Sequence, residues 1–128
     1  MWNTKDLIIE YNAMTDSYKV TSCKDKDVKS IVIPKFYDDK KHGLKPVSII
    51  GEKAFYSCIY LESVQLPKFI KTIKKNAFEN CVSLKSLELP DTIAKIEENA
   101  FKGVSAKIKY NCKKWLEELE VKNISLSH

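Results

Sequence analysis

The sequence predicts an α/β solenoid. The expected form is a short, right-handed slab with a parallel strand ladder, a β-hairpin cap at its N-terminal end and a helical cap at its C-terminal end. Three observations carry this expectation. A block of residues recurs with a period of 23. Each block joins a short alternating strand to a segment whose apolar residues stand three or four apart. No single block can bury its own apolar face, but stacked blocks can, with strands about 4.8 Å apart.

The period is seen by laying Ile50–Pro67 over Ile73–Pro90. Eight of the 18 positions are identical: Ile50/Ile73, Ala54/Ala77, Phe55/Phe78, Cys58/Cys81, Leu61/Leu84, Ser63/Ser86, Leu66/Leu89 and Pro67/Pro90. A third copy follows with Ile93, Ile96, Asn99, Ala100 and Phe101, and Val104 takes the cysteine position. Its register then slips by two, so that Ile108 and Tyr110 stand for Leu87 and Leu89. Upstream, Val28–Pro34 matches Leu61–Pro67. Those two prolines are 33 residues apart, which leaves a ten-residue excess. It falls in residues 35–45, around Asp38-Asp39-Lys40-Lys41-His42-Gly43, which read as an exposed loop.

Within a block, Ser63-Val64-Gln65-Leu66 alternates as a half-buried strand does. Pro67 and Pro90 end the ladder because proline has no N–H to give it. Ile70 and Ile73 open a second short buried segment. The spacing Ala77-Phe78-x-x-Cys81-x-x-Leu84 suits a helical turn crossing back between them. Equivalent residues should then stack: Phe55, Phe78 and Phe101 in one column, Cys58, Cys81 and Val104 in another.

The ends of such a stack need covers. Leu7–Tyr11 and Tyr18–Thr21, joined by residues 12–17, read as a hairpin. Asn111 suits the N-cap of a helix over Lys113–Leu119, with Trp115, Leu116 and Leu119 on one face and a tail over Val121–His128. The expected organisation is therefore a hairpin cap over 1–27, repeats over 28–110 with the insertion at 35–45, and a cap and tail over 111–128.

The repeat I-x-x-x-A-F-x-x-C-x-x-L-x-x-V-x-L-P resembles the BspA-type leucine-rich repeat, a family named for bacterial surface proteins. The match runs from residue 28 to 110. Family repeats often have a glycine where Lys74 and Glu97 stand, and only Gly51 keeps it here. The third repeat lacks the cysteine and the Leu-Pro end, as a closing repeat would. The resemblance implies a non-enzymatic protein–protein interaction module of surface or adhesion type. Its partner would be a protein ligand, such as a host matrix or cell-surface protein. The alternative is an intracellular or structural repeat protein that associates with itself.

Composition excludes other classes. All 22 basic residues are lysine, against 17 acids. Without arginine the chain lacks the fork that reads guanine edges and clamps phosphates, so no specific nucleic-acid partner is expected. Charge is also even along the chain: 9 Lys and 7 acids over residues 1–49, 13 and 10 over residues 50–128. No apolar run reaches the length of a membrane span. The start, Met-Trp-Asn-Thr-Lys-Asp, lacks a signal-peptide pattern, which leaves open a cytoplasmic protein or one whose export signal has been removed.

Cys23, Cys58, Cys81 and Cys112 form no C-x-x-C pair, and neither His42 nor His128 has a triad or metal-site partner at a recognisable spacing. Three glycines cannot build a phosphate loop. No catalytic, metal or cofactor site is expected. The periodic cysteines read as core residues with free thiols.

The candidate partner-binding surface is the outward face of the strand ladder. Ser63, Ser86 and Lys107 form its first column, continuing Ser30. Gln65, Glu88 and Lys109 form the second, continuing Val32, and Lys68 and Asp91 follow their strands.

Overall fold

The structure is a computed structural model that describes residues 4–104 and 107–110. Ten strands follow in order: β1 (Leu7–Asn12), β2 (Ser17–Cys23), β3 (Ser30–Val32), β4 (Phe36–Asp38), β5 (Leu44–Ile50), β6 (Ser63–Gln65), β7 (Thr72–Ile73), β8 (Ser86–Leu89), β9 (Lys95–Ile96) and β10 (Lys107–Tyr110). They form two sheets. One is the four-strand parallel ladder β10-β8-β6-β3. The other runs β1-β2-β5-β7-β9, with β4 added to β5.

The ladder has the register that the repeat predicts. Ser30, Ser63, Ser86 and Lys107 align in one row. The two-residue slip before the last strand also holds, since Ile108 pairs with Leu87 and Tyr110 with Leu89. In the second sheet, Ile50, Ile73 and Ile96 are in register and buried. The core lies between the sheets and runs continuously from Leu7 to Val104.

Between the sheets the chain does not form the expected helical turn. Among the described residues there is no helix, so the α component of the predicted class is absent from them. Alternate N–H groups instead close tight turns: Ala77 bonds to Lys74, Glu79 to Asn76 and Cys81 to Phe78. The N–H groups in between reach the next rung, Asn76 to Glu98, Phe78 to Ala100 and Asn80 to Lys102. The first repeat does the same from Lys53, Phe55 and Ser57. A helix would turn every N–H back upon its own segment. The turns leave half of them to join rungs.

This path needs left-handed backbone twice per rung. Asn76 and Asn99 have φ of 60° and 59°, and Asn80 and Gly103 have φ of 64° and 82°. Glycine and asparagine tolerate that region. In the first repeat Lys53 and Ser57 adopt it instead, at φ 57° and 56°. Gly51 is required for another reason. Its N–H donates to the Val20 carbonyl at 2.8 Å, and a Cβ there would stand 2.8 Å from the same oxygen.

The phenylalanine column forms as expected. Phe55 and Phe78 stack with centroids 5.2 Å apart and planes 8° apart, Phe78 and Phe101 at 5.4 Å and 2°. Cys58, Cys81 and Val104 are buried in the neighbouring column. Cys23 sits at its head, because its N–H donates to the Ala54 carbonyl at 3.1 Å. All three of these thiols are free.

The hairpin β1–β2 is antiparallel, and β2 continues the second sheet by pairing with β5. The insertion is not a simple loop. Phe36–Asp38 pair antiparallel with Leu44–Pro46, so it is a two-stranded arm turning at residues 39–43. The proposed helix over Lys113–Leu119 and the tail lie outside the described residues. Among the described residues, no helix is long and apolar enough to cross a membrane.

Two substitutions test this packing. Phe78→Ala should destabilise the chain by about 3–5 kcal/mol, the usual cost of emptying an aromatic core site. An unchanged melting temperature would refute the stacked column. Lys53→Asn should raise stability by roughly 1 kcal/mol by easing the left-handed turn, measurable by urea unfolding.

Candidate functional site

On β3 and β6 the ladder presents one outward row of Ser30 and Ser63 and another of Val32 and Gln65. Ser63 and Gln65 are exposed while Val64 between them is buried. Val32 is 60% exposed beside Gln65. Glu88 is exposed between Leu87 and Leu89, which are buried. Alternation of this kind is what a sheet packed on one side requires.

Four of the predicted residues meet at one groove. Ser63, Gln65, Lys68 and Glu88 line a depression of about 490 Å³, together with Ser30, Val32 and Pro90. Asp91 is exposed in the turn after β8. Ser86, Lys107 and Lys109 take their predicted places in the strand register. Lys85 and Glu62 form an ion pair at 3.4 Å near the ladder, exposed enough to contribute little. The groove therefore has amide, hydroxyl, ammonium and carboxylate groups on a rigid base. It suits polar contacts with a partner surface.

The thiols fit a packing role. Cys81 donates to the Phe55 carbonyl at 3.1 Å, and burial pushes its thiol up to about 12. Burial also raises Cys58 and Cys23. Protonated and enclosed, they are poor nucleophiles.

A polar cluster that spacing did not disclose ties the arm to the hairpin. The Tyr18 hydroxyl donates to the Gly43 carbonyl at 2.7 Å and accepts from the Asp39 N–H at 3.1 Å. Asp39 accepts from the N–H groups of Lys41 and His42, and His42 Nδ1 stands 2.7 Å from its other oxygen. The His42 ring stacks on Tyr11 at 3.9 Å. Tyr11 in turn donates to Asp16, which pairs with Lys45 at 3.4 Å. The sequence signal was Asp39-x-x-His42, a turn spacing. It fits neither a triad nor a metal site, and here it organises a turn.

The His42 side chain, helped by the backbone N–H groups, holds Asp39 well below the usual carboxylate range. The Tyr11 hydroxyl lowers Asp16. A carboxylate lowered in the folded state contributes stability above its unfolded pKa and loses it as pH falls. Acidification below about pH 4 should therefore lower the melting temperature through the arm. Asp39→Asn should flatten that acid limb. An Asp39→Asn chain with the same acid limb as the unsubstituted chain would contradict this assignment.

Comparison with known proteins bears on the fold. The family described as BspA type leucine-rich repeat region (6 copies) matches residues 22–126. A leucine-rich repeat protein from Bacteroides capillosus superposes with a TM-score of 0.60 at 21% identity, covering 85% of this chain and 96% of that one. The T. pallidum leucine-rich repeat protein gives 0.56 at 20% identity over 84% of this chain, which spans 63% of that protein. A leucine-rich repeat protein from Bacteroides ovatus gives 0.55 at 19% identity over 85% of this chain, and the match takes in 37% of that structure. No curated protein matches.

Proposed function

The chain belongs to the BspA-type leucine-rich-repeat family, and on that footing we propose that it is a non-enzymatic adhesion-type module that binds a protein ligand on the outward face of its strand ladder. Leucine-rich repeats are in general interaction scaffolds, and repeat stacks offer preformed platforms. The observation that carries the reading is the groove lined by Ser63, Gln65, Lys68 and Glu88. Its walls are three strands held in register, so few groups must be ordered when a partner docks. Asp91 is exposed just beyond β8, and Ser86, Lys107 and Lys109 hold the corresponding register positions along the ladder.

The chemistry of this face sets the kind of contact. Its charges have both signs, and Val32 is the exposed large apolar side chain among its lining residues. Such a surface recognises a partner by matched hydrogen bonds and charge and gives modest affinity per site. Several copies displayed together would add avidity without new contacts.

The test is a direct binding measurement against purified matrix proteins by biolayer interferometry. A chain with Gln65→Ala, Glu88→Ala and Lys109→Ala together should lose at least about tenfold in affinity, as expected from removing two or more polar contacts. Gln65 and Glu88 sit on the solvent side of the ladder, and the melting temperature of the triple variant should hold. Full binding by the triple variant would reject this face.

A further inference from the structure

The N-terminal hairpin and the insertion arm, both outside the regular repeat, adjoin in the second sheet. There they leave a cavity of about 370 Å³, a size that holds small ligands. We propose that this cavity, lined by the Ser17–Ser48 hydroxyl pair together with Phe69 and Lys71, is a binding site for a pyranose sugar bearing a carboxylate.

One wall is a chain of hydroxyls. Ser17 and Ser48 are 3% and 6% exposed, and their Oγ atoms are 2.6 Å apart. Ser17 Oγ is also 2.7 Å from Thr15 Oγ1 at the hairpin tip. A serine hydroxyl has one donor and two acceptor sites. Among the described residues, the Ser48 side chain bonds to Ser17 alone. It therefore keeps hydrogen-bonding capacity at the wall of the cavity. Thr72 adds a further hydroxyl from β7.

Part of the lining is apolar. Pro46, Ile49 and Phe69 form it, and Ile49 is buried. The remaining lining residue is Lys71. Among the described residues no carboxylate lines the cavity and Lys71 makes no ion pair.

These three surfaces demand three features in one small molecule. The apolar wall asks for a flat face of C–H groups. The hydroxyl wall asks for groups that both donate and accept. The ammonium asks for an anion. A purely apolar ligand would displace water from the hydroxyl wall without replacing its hydrogen bonds. A small inorganic anion would leave the apolar wall empty. A pyranose ring offers C–H faces and a rim of hydroxyls, and a uronic acid adds the carboxylate.

The position supports a built site. One rung on, Lys71 and Thr72 are themselves the repeat equivalents of Ser48 and Ile49, and Ala94 and Lys95 follow them. The hairpin tip and β5 supply the walls at the first rung, where Thr15, Ser17 and Pro46 stand. The cavity lies on the sheet that does not carry the proposed protein-binding ladder, so the two readings stand or fall separately.

The test is titration of the ¹⁵N-labelled full chain with sodium glucuronate, glucose and sodium acetate, followed by amide shifts and saturation-transfer NMR. Glucuronate should shift Thr15, Ser48 and Thr72 and bind tighter than either control. Lys71→Gln, an exposed change that leaves the core alone, should weaken glucuronate binding by about tenfold and bring it near glucose. Ser48→Val should weaken both sugars. A short oligosaccharide ending in glucuronate separates the sources. Tighter binding than the monomer assigns the site to a chain end, and equal binding assigns it to the free sugar acid. The proposal is overturned if neither glucuronide shifts these residues, if acetate matches glucuronate, or if Lys71→Gln binds as the unsubstituted chain does.

Discussion

Everything in this fold depends on keeping consecutive rungs about 5 Å apart. The spacing is set by main-chain hydrogen bonds between parallel strands, and it happens to suit stacked aromatic rings. Phe55, Phe78 and Phe101 satisfy both demands, with centroids 5.2 and 5.4 Å apart. Once that column is in place, the isoleucines of the second sheet and the leucines of the ladder fall into register beside it. The outward residues are then placed without further choice. Ser63 and Gln65 face solvent because Val64 must face the core.

Much of this was legible in the sequence because the repeat reports three-dimensional neighbours directly. Residues 23 apart are adjacent rungs, so the order and register of the ladder could be read, even through the two-residue slip before Ile108. The crossing segment was not. Apolar spacings of three and four occur in helices, but they arise equally when alternate residues of a turning chain point inward. Asn76, Asn80, Asn99 and Gly103 held the contrary signal, since such residues mark left-handed backbone. Cys23 was hidden by a spacing of five residues to Val28, where the repeats have three between Cys58 and Leu61. The insertion looked like a loop because its polar tip outweighed Phe36 and Tyr37, which make its strand.

The candidate sites divide in the same way. The ladder face was readable, because it is made of equivalent positions of successive repeats. The cavity on the other sheet was not, because it joins Thr15, Ser48, Phe69 and Lys71 from segments without a common period. The Tyr11–His42–Asp39–Tyr18 cluster explains how those segments are held. It fixes the arm against the hairpin, and the arm supplies Pro46 to the cavity wall. Departures from a repeat are thus where this chain creates shape that the repeat cannot.

The turns between the sheets have one more property. Their bonds between rungs all run in one sense, with each N–H pointing toward the C-terminal neighbour and each carbonyl pointing back. Peptide dipoles aligned this way add, as they do along a helix. The turn column is therefore electrically polar, negative toward the hairpin and positive at the third repeat. At its hairpin end a carbonyl is already met, since Ala54 accepts from Cys23. At the other end the N–H groups of Asn99, Phe101 and Gly103 point onward, with no backbone acceptor among the described residues. Whatever seats against that rung meets a row of donors, so the two ends of the stack favour chemically opposite neighbours.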